Sequence, residues 1–285
     1  MGVSLCGSSA VARQTFEEAD ATLGFALSRL CFEGPESELK LTTNTQPAIL
    51  THSIAAYRDL QARFPERVEG AAFAIGQSLG EYSADVAAGA LSFAEALQLV
   101  RERGQFMQDA VPAGAGAMAA IVGLEPAEVE AACRESAQGE AVEAVNFNAP
   151  EQTVIAGHAA AVARASAACT ARGAKRAIPL PVSAPFHSSL MAPARQRMKP
   201  LLEAAAFADP KIAVVTNVDA AVERSGSGLR DALIRQIDSA VRFTDSVRLL
   251  AREGVDRGLE IGPGNVLAGL VRRIEKSIKV EAYGG

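Results

Sequence analysis

Tryptophan is absent from this chain of 285 residues, and aromatic side chains make up only 5% of it. The small residues that dominate instead allow close packing of helices on a sheet but decide nothing about function. Histidine is nearly as scarce: His52, His158 and His187 are the whole complement, so any chemistry that needs an imidazole has three candidates. Cys6, Cys31, Cys133 and Cys169 are scattered, without the short spacings of a metal site or a redox pair. They read as buried or incidental thiols, and neither a metal nor a bound cofactor is expected. No run approaches the ~18 uninterrupted apolar residues of a membrane span. Residues 1–10 lack the basic start and apolar stretch of a signal peptide, so a cytoplasmic protein is expected. The net charge of −5 is small for this length and argues against nucleic acid or a membrane surface as the main partner. An apolar content of 49% with 21% charged residues is that of a globular protein with a sizeable core. Repeats and low-complexity tracts are absent as well.

What is present is an alternation of helical and extended patterns, which favours an α/β fold with a largely parallel sheet. Residues 10–29 and 47–64 read as helices, the second with Pro47 in its favoured first turn. Residues 71–75 form an apolar run of strand length, and helix-forming sequence occupies 79–89. Ser92 and Glu95 make a capping box that opens a helix reaching about residue 110. On it Phe93, Leu97, Val100, Gly104 and Met107 share one face. Arg103 falls inside that apolar arc and therefore needs an anionic partner or a path to solvent. Residues 117–180 then run strand, helix, strand, strand, helix, strand, the order of a ferredoxin-like split motif. Beyond them helices are expected at 188–205, 229–239, 243–253 and 266–274, with strands at 212–217 and 258–261.

The chemistry concentrates at Gly76-Gln77-Ser78-Leu79-Gly80, a Gly-x-Ser-x-Gly sequence between a strand and a helix. That is the pattern of a nucleophile elbow, with Ser78 at the tip of a tight turn and free helix N–H groups beside it. Close approach of helix to strand explains the two glycines, where a Cβ would obstruct. A serine nucleophile needs a base. His52 sits in a predicted helix and His158 at a helix start, where structural roles suffice. His187 lies in the irregular segment of residues 181–188, the kind of place where catalytic groups usually sit, and is the candidate base. An α/β-hydrolase would carry its histidine near the C-terminus, after the acid, which weakens the ordinary esterase or lipase reading.

The elbow, the Arg103-Gly104 helix, the Asn146-Phe147-Asn148-Ala149-Pro150 loop, the Pro185-Phe186-His187-Ser188 segment and Gly262-Pro263-Gly264 occur in a recognisable order. Together they resemble the malonyl-CoA:acyl carrier protein transacylase family over residues 10–274. The resemblance implies an α/β-hydrolase-like core (1–114 and 185–285) carrying an inserted ferredoxin-like subdomain (115–184), with the active site in the gorge between them. It implies Ser78 as nucleophile, His187 as base and Arg103 as the grip on the malonyl carboxylate. It further implies Leu79 as an oxyanion N–H donor and Gln236 as the residue whose carbonyl orients the histidine. Malonyl-CoA and the phosphopantetheine arm of acyl carrier protein are the implied partners, in fatty acid synthesis, for a monomeric enzyme. Arg172, Lys175, Arg176, Lys199, Arg272 and Arg273 offer positive charge for an acidic carrier.

Two departures from the family pattern stand out. The apolar strand leading into Gly-Gln-Gly-Ser-Gln has no counterpart, since Met1–Leu5 matches a point just after it. The expectation is a chain truncated at its N-terminus, lacking one oxyanion donor. Gln77 also replaces the histidine usual before the serine, with a modest expected effect. The alternatives are a serine esterase or thioesterase using the same elbow, and a catalytically impaired relative.

Overall fold

The computed structural model describes residues 1–182 and 184–284; Ser183, in the irregular segment before His187, and Gly285 lie outside them. The chain opens with helices α1 (Val3–Ser8), α2 (Ala10–Leu23), α3 (Leu27–Glu33), α4 (Glu36–Leu39) and α5 (Thr42–Arg63). The single helix expected over 10–29 is thus two. Gly24 takes a left-handed conformation (φ 72°) and its N–H closes α2 onto the Asp20 carbonyl. Asp20 then turns the corner by accepting the Ser28 N–H at 2.8 Å. Pro47 likewise lies inside α5, which starts at Thr42, and not in its first turn. A proline there leaves the carbonyl four residues back without its helical donor. That carbonyl belongs to Thr43, and Arg101 fills the vacancy at 2.9 Å.

Strand β1 (Phe73–Ile75) leads into α6 (Leu79–Ala87) and α7 (Phe93–Asp109). The Ser92 hydroxyl accepts the Glu95 N–H and donates to its carboxylate, so the capping box forms. Helix α7 crosses α5 at Gly104, where a Cβ would come within 2.7 Å of the Thr42 oxygen. The main core packs Phe16, Leu50, Ile54, Leu97, Val100 and Met107 between these helices.

The small subdomain follows as β2 (Gly116–Val122), α8 (Pro126–Ser136), β3 (Val142–Ala149), β4 (Gln152–His158), α9 (Ala159–Ala171) and β5 (Arg176–Pro179). Its antiparallel sheet has the ferredoxin-like order β3-β4-β2-β5. Ile121, Val129, Cys133, Ile155, Val162 and Cys169 form a core of its own. It is stitched to the rest by β3: Phe147 donates to the Val241 carbonyl at 2.9 Å, and Val241 donates to Val145 at 2.8 Å.

The chain returns through α10 (Ala192–Ala204), β6 (Ala213–Val215), β7 (Val222–Glu223), α11 (Gly226–Gln236), α12 (Phe243–Arg252), β8 (Arg257–Ile261), α13 (Val266–Ile274) and β9 (Lys279–Tyr283). The first turn of the helix expected from 188 is a separate 3-10 turn, Ser189–Met191. Strands β1 and β6 pair in parallel, as do β8 and β9, while β7 is antiparallel to β6. The mixed α/β architecture is the one expected, but among the described residues the parallel pairs β1-β6 and β8-β9 stand in two separate small sheets, and the four-stranded sheet is antiparallel throughout. Among the described residues no helix is long and apolar enough to cross a membrane.

Candidate active site

Between β1 and α6 the chain turns within three residues, and the strain falls on Ser78, whose φ of 53° and ψ of −107° are unusual for a residue with a Cβ. Gly76 makes the turn possible. A Cβ on it would lie 1.9 Å from the Gly80 carbonyl carbon, far inside van der Waals contact with the helix backbone. The second glycine does not have the role expected of it, since a Cβ on Gly80 would meet nothing within 4 Å. What holds the turn is Asn217, buried just past the end of β6. Its side-chain oxygen accepts the Ser78 N–H and its nitrogen donates to the Gly76 carbonyl, both at 2.6 Å.

His187 also sits at positive φ, 64°, in the segment that leaves the small subdomain. Its Nε2 lies 2.7 Å from Ser78 Oγ, and its Nδ1 lies 2.8 Å from the main-chain oxygen of Gln236. A carbonyl only accepts, so Nδ1 carries the hydrogen and Nε2 is left to accept from the serine hydroxyl. Burial, reinforced by the Arg103 cation and opposed by the Gln236 carbonyl, pushes the His187 pKa down to about 3. The imidazole is therefore neutral near pH 7, the form a base requires.

Arg103 is 2% exposed. Its Nη1 donates to Gln46 Oε1 at 2.7 Å, and its Nη2 to Gln236 Oε1 at 2.8 Å and to Ser78 Oγ at 3.1 Å. Its guanidinium stacks 5.6 Å from the centre of the Tyr82 ring. These partners are all uncharged, and among the described residues no carboxylate forms an ion pair with it. Desolvation lowers its pKa, yet a guanidinium stays charged in a protein. A buried cation held only by neutral acceptors can take an anion as a further partner, here beside the serine oxygen.

Leu79 opens α6, and among the described residues no backbone acceptor takes its N–H. The five residues singled out in the sequence, Ser78, Leu79, Arg103, His187 and Gln236, thus converge. The other two histidines stand apart from them. His52 is buried in α5, where burial lowers its pKa to about 4. His158 precedes α9 without capping it; its Nδ1 accepts the Ala141 N–H at 3.0 Å, tying β4 to the start of β3. Gln77 donates to Asn148 on β3, bridging elbow and small subdomain. Three residues of the site, Gln46, Glu81 and Asn217, have no counterpart in the sequence reading. Glu81 Oε2 accepts the Asn217 N–H at 3.0 Å and Gln236 Nε2 at 2.8 Å.

A family model described as an acyl transferase domain matches residues 1–283. A malonyl CoA-acyl carrier protein transacylase of Escherichia coli (strain K12) is 49% identical over 282 residues, covering 99% of this chain and 90% of that one. This chain belongs to the malonyl CoA-acyl carrier protein transacylase family. Among solved structures, an acyl carrier protein S-malonyltransferase from Vibrio cholerae matches this transacylase with a TM-score of 0.95 and 47% identity. That match covers 99% of this chain and 91% of the other. A malonyl-transacylase solved in complex with a type II PKS acyl-carrier protein matches with a TM-score of 0.94 and 46% identity, over 98% and 89%. The transacylase fold is therefore shared across nearly the whole length of each.

Proposed function

We propose that this acyltransferase moves the malonyl group of malonyl-CoA to the phosphopantetheine thiol of acyl carrier protein, supplying fatty acid synthesis. The observation that carries this reading is the buried Arg103 guanidinium, 3.1 Å from the Ser78 oxygen and without a carboxylate partner among the described residues. A malonyl thioester brings that carboxylate, two bonds from the carbonyl that Ser78 attacks. A general esterase has no use for such a cation, and an acyl group without a carboxylate leaves it unpaired. The names of the relatives point to the same donor and acceptor.

His187 Nε2 takes the Ser78 proton as Oγ attacks the thioester carbon. The oxyanion meets the Leu79 N–H at the positive end of α6. The C–S bond then breaks, CoA leaves as a thiol with the proton from His187, and malonate stays on Ser78 as an ester. In the second half the carrier thiol gives its proton to His187, attacks the ester, and Ser78 recovers its hydrogen. A carbonyl behind His187 stabilises the imidazolium less than a carboxylate does, which suits exchange between thioesters. The division into a core (1–114 and 185–285) and a small subdomain (115–184) belongs to this reading, with the acyl group in the gorge bridged by Gln77 and Asn148. Four free, buried cysteines accord with a reducing, cytoplasmic setting.

The test is the mass of holo acyl carrier protein after incubation with enzyme and malonyl-CoA. Malonylated carrier is expected with the wild type and not with Ser78→Ala. Free malonate with unmodified carrier would mean that water is the acceptor and that the chain is a hydrolase.

A further inference from the structure

Glu81 lies on α6, three residues after Ser78, and is fully buried, yet the transfer chemistry gives it no task. A carboxylate in such a place is costly unless its oxygens are well used. Oε1 has no partner among the described residues, whereas Oε2 accepts from both Asn217 and Gln236. Both donors belong to residues that hold reacting groups: Asn217 clamps the elbow, and Gln236 holds Arg103.

The Gln236 amide has two ends of similar shape, and one orientation alone serves the site. Arg103 only donates, so it needs the amide oxygen, found 2.8 Å from Nη2. The amide nitrogen carries two hydrogens. One goes to the Ser78 main-chain oxygen at 3.0 Å and the other to Glu81 Oε2 at 2.8 Å. Without Glu81 the second N–H is buried and unpaired, and the correct orientation loses that advantage over the flipped one. Hydrogen bonds in series also polarise one another, so a carboxylate behind the NH2 strengthens the oxygen that Arg103 uses. Burial pushes the Glu81 pKa up to about 7, opposed by the Gln236 and Asn217 donors and by the Arg103 charge, which favour its ionised form.

We propose that Glu81 is a positioning residue of the acyl pocket: through the Gln236 amide it holds the Arg103 guanidinium beside Ser78, ready for the carboxylate of the incoming acyl group. Arg103 is in this way anchored by a carboxyl group one amide removed, while its own Nε has no partner among the described residues. A carboxylate in direct contact would compete with malonate, whereas the intervening amide does not.

The inference rests on the transfer reading above; wild-type turnover tests that reading and the variants test this one. KM and kcat for malonyl-CoA are measured for Glu81→Met, Gln236→Met and the double variant. In Glu81→Met, KM is expected to rise about 10-fold or more with kcat changed by less than about 3-fold, the scale of a lost hydrogen bond in a charged network. Glu81→Met is expected to add little once Gln236→Met is present, because the two act in series. Should the methionine variant fail to fold, Glu81→Gln takes its place in the same cycle; its amide oxygen keeps an acceptor without the charge, and a smaller rise in KM is expected. A fall in kcat at unchanged KM, or effects that add fully across the cycle, would overturn the proposal.

Discussion

The main-chain oxygen of Gln236 lies 2.8 Å from Nδ1 of His187, while the side chain of the same residue holds Arg103. One residue of α11 therefore orients the candidate base with its backbone and the candidate substrate clamp with its amide. Because a carbonyl, not a carboxylate, faces His187, no anion there raises the histidine pKa against burial and the nearby guanidinium.

A pH profile follows from this arrangement. With the His187 pKa pushed down to about 3 by burial and then by Arg103, the base stays neutral through the range in which histidines ordinarily titrate. The rate of Ser78 acylation by malonyl-CoA, measured by rapid quench, is expected to show no acid limb near pH 6.5, the ordinary value. Arg103→Gln removes a neighbouring positive charge, which raises the pKa, so its residual activity is expected to fall off at higher pH than the wild type. A wild-type limb at the ordinary value would contradict the geometry.

The two glycines of the elbow are expected to behave differently. A Cβ on Gly76 would collide with the Gly80 carbonyl at 1.9 Å, so Gly76→Ala has to push α6 off the strand. Overpacking of that kind costs about 1–3 kcal/mol or more, and displacing Ser78 by ~1 Å costs about 10²-fold in rate. Gly80→Ala meets open space and is expected to fold as stably as the wild type or better, since alanine is the stronger helix former. Thermal melts and turnover of the pair decide it; equal effects would mean that the close approach is not what Gly76 provides.

Asp85 sits fully buried on α6 with neither carboxylate oxygen paired among the described residues. Burial, aided by Glu81, raises its pKa well above 3.8, so the folded protein holds this proton to higher pH than the unfolded chain does. The folded state then binds more protons than the unfolded one, and stability falls as pH rises. Asp85→Ala removes an unpaired buried group costing about 1–3 kcal/mol. Urea unfolding at several pH values is expected to show a gain for the variant that is larger at alkaline than at acid pH. A loss of stability at every pH would mean that Asp85 has a partner after all.

Legibility in the sequence tracked how local each signal was. Ser78, Arg103 and His187 announce themselves by an elbow, a cation on an apolar helical arc and an irregular Pro-rich segment. Gln236 meets His187 through a main-chain oxygen that any residue would supply, so the role expected of it comes from the family resemblance alone. Gln46 and Glu81 are polar residues in helices, and nothing along the chain separates a buried one from a solvated one. Asn217 did leave a trace: it follows the apolar run of β6, at the carboxyl end of a strand, where α/β sheets place their chemistry. In the fold, helical periodicity carried the expected helix at 10–29 past Gly24, whose left-handed turn ends α2. Pro47 reads as a helix start because a missing N–H is cheapest there, whereas Arg101 offsets that loss inside α5.

The most direct test of the account is the intact mass of the enzyme after brief exposure to malonyl-CoA, beside acetyl-CoA and a Ser78→Ala control. A malonyl adduct that needs Ser78 and does not form from acetyl-CoA is predicted, since the role proposed for Arg103 requires the malonyl carboxylate. No adduct on a folded protein, or equal acetyl and malonyl labelling, would contradict it.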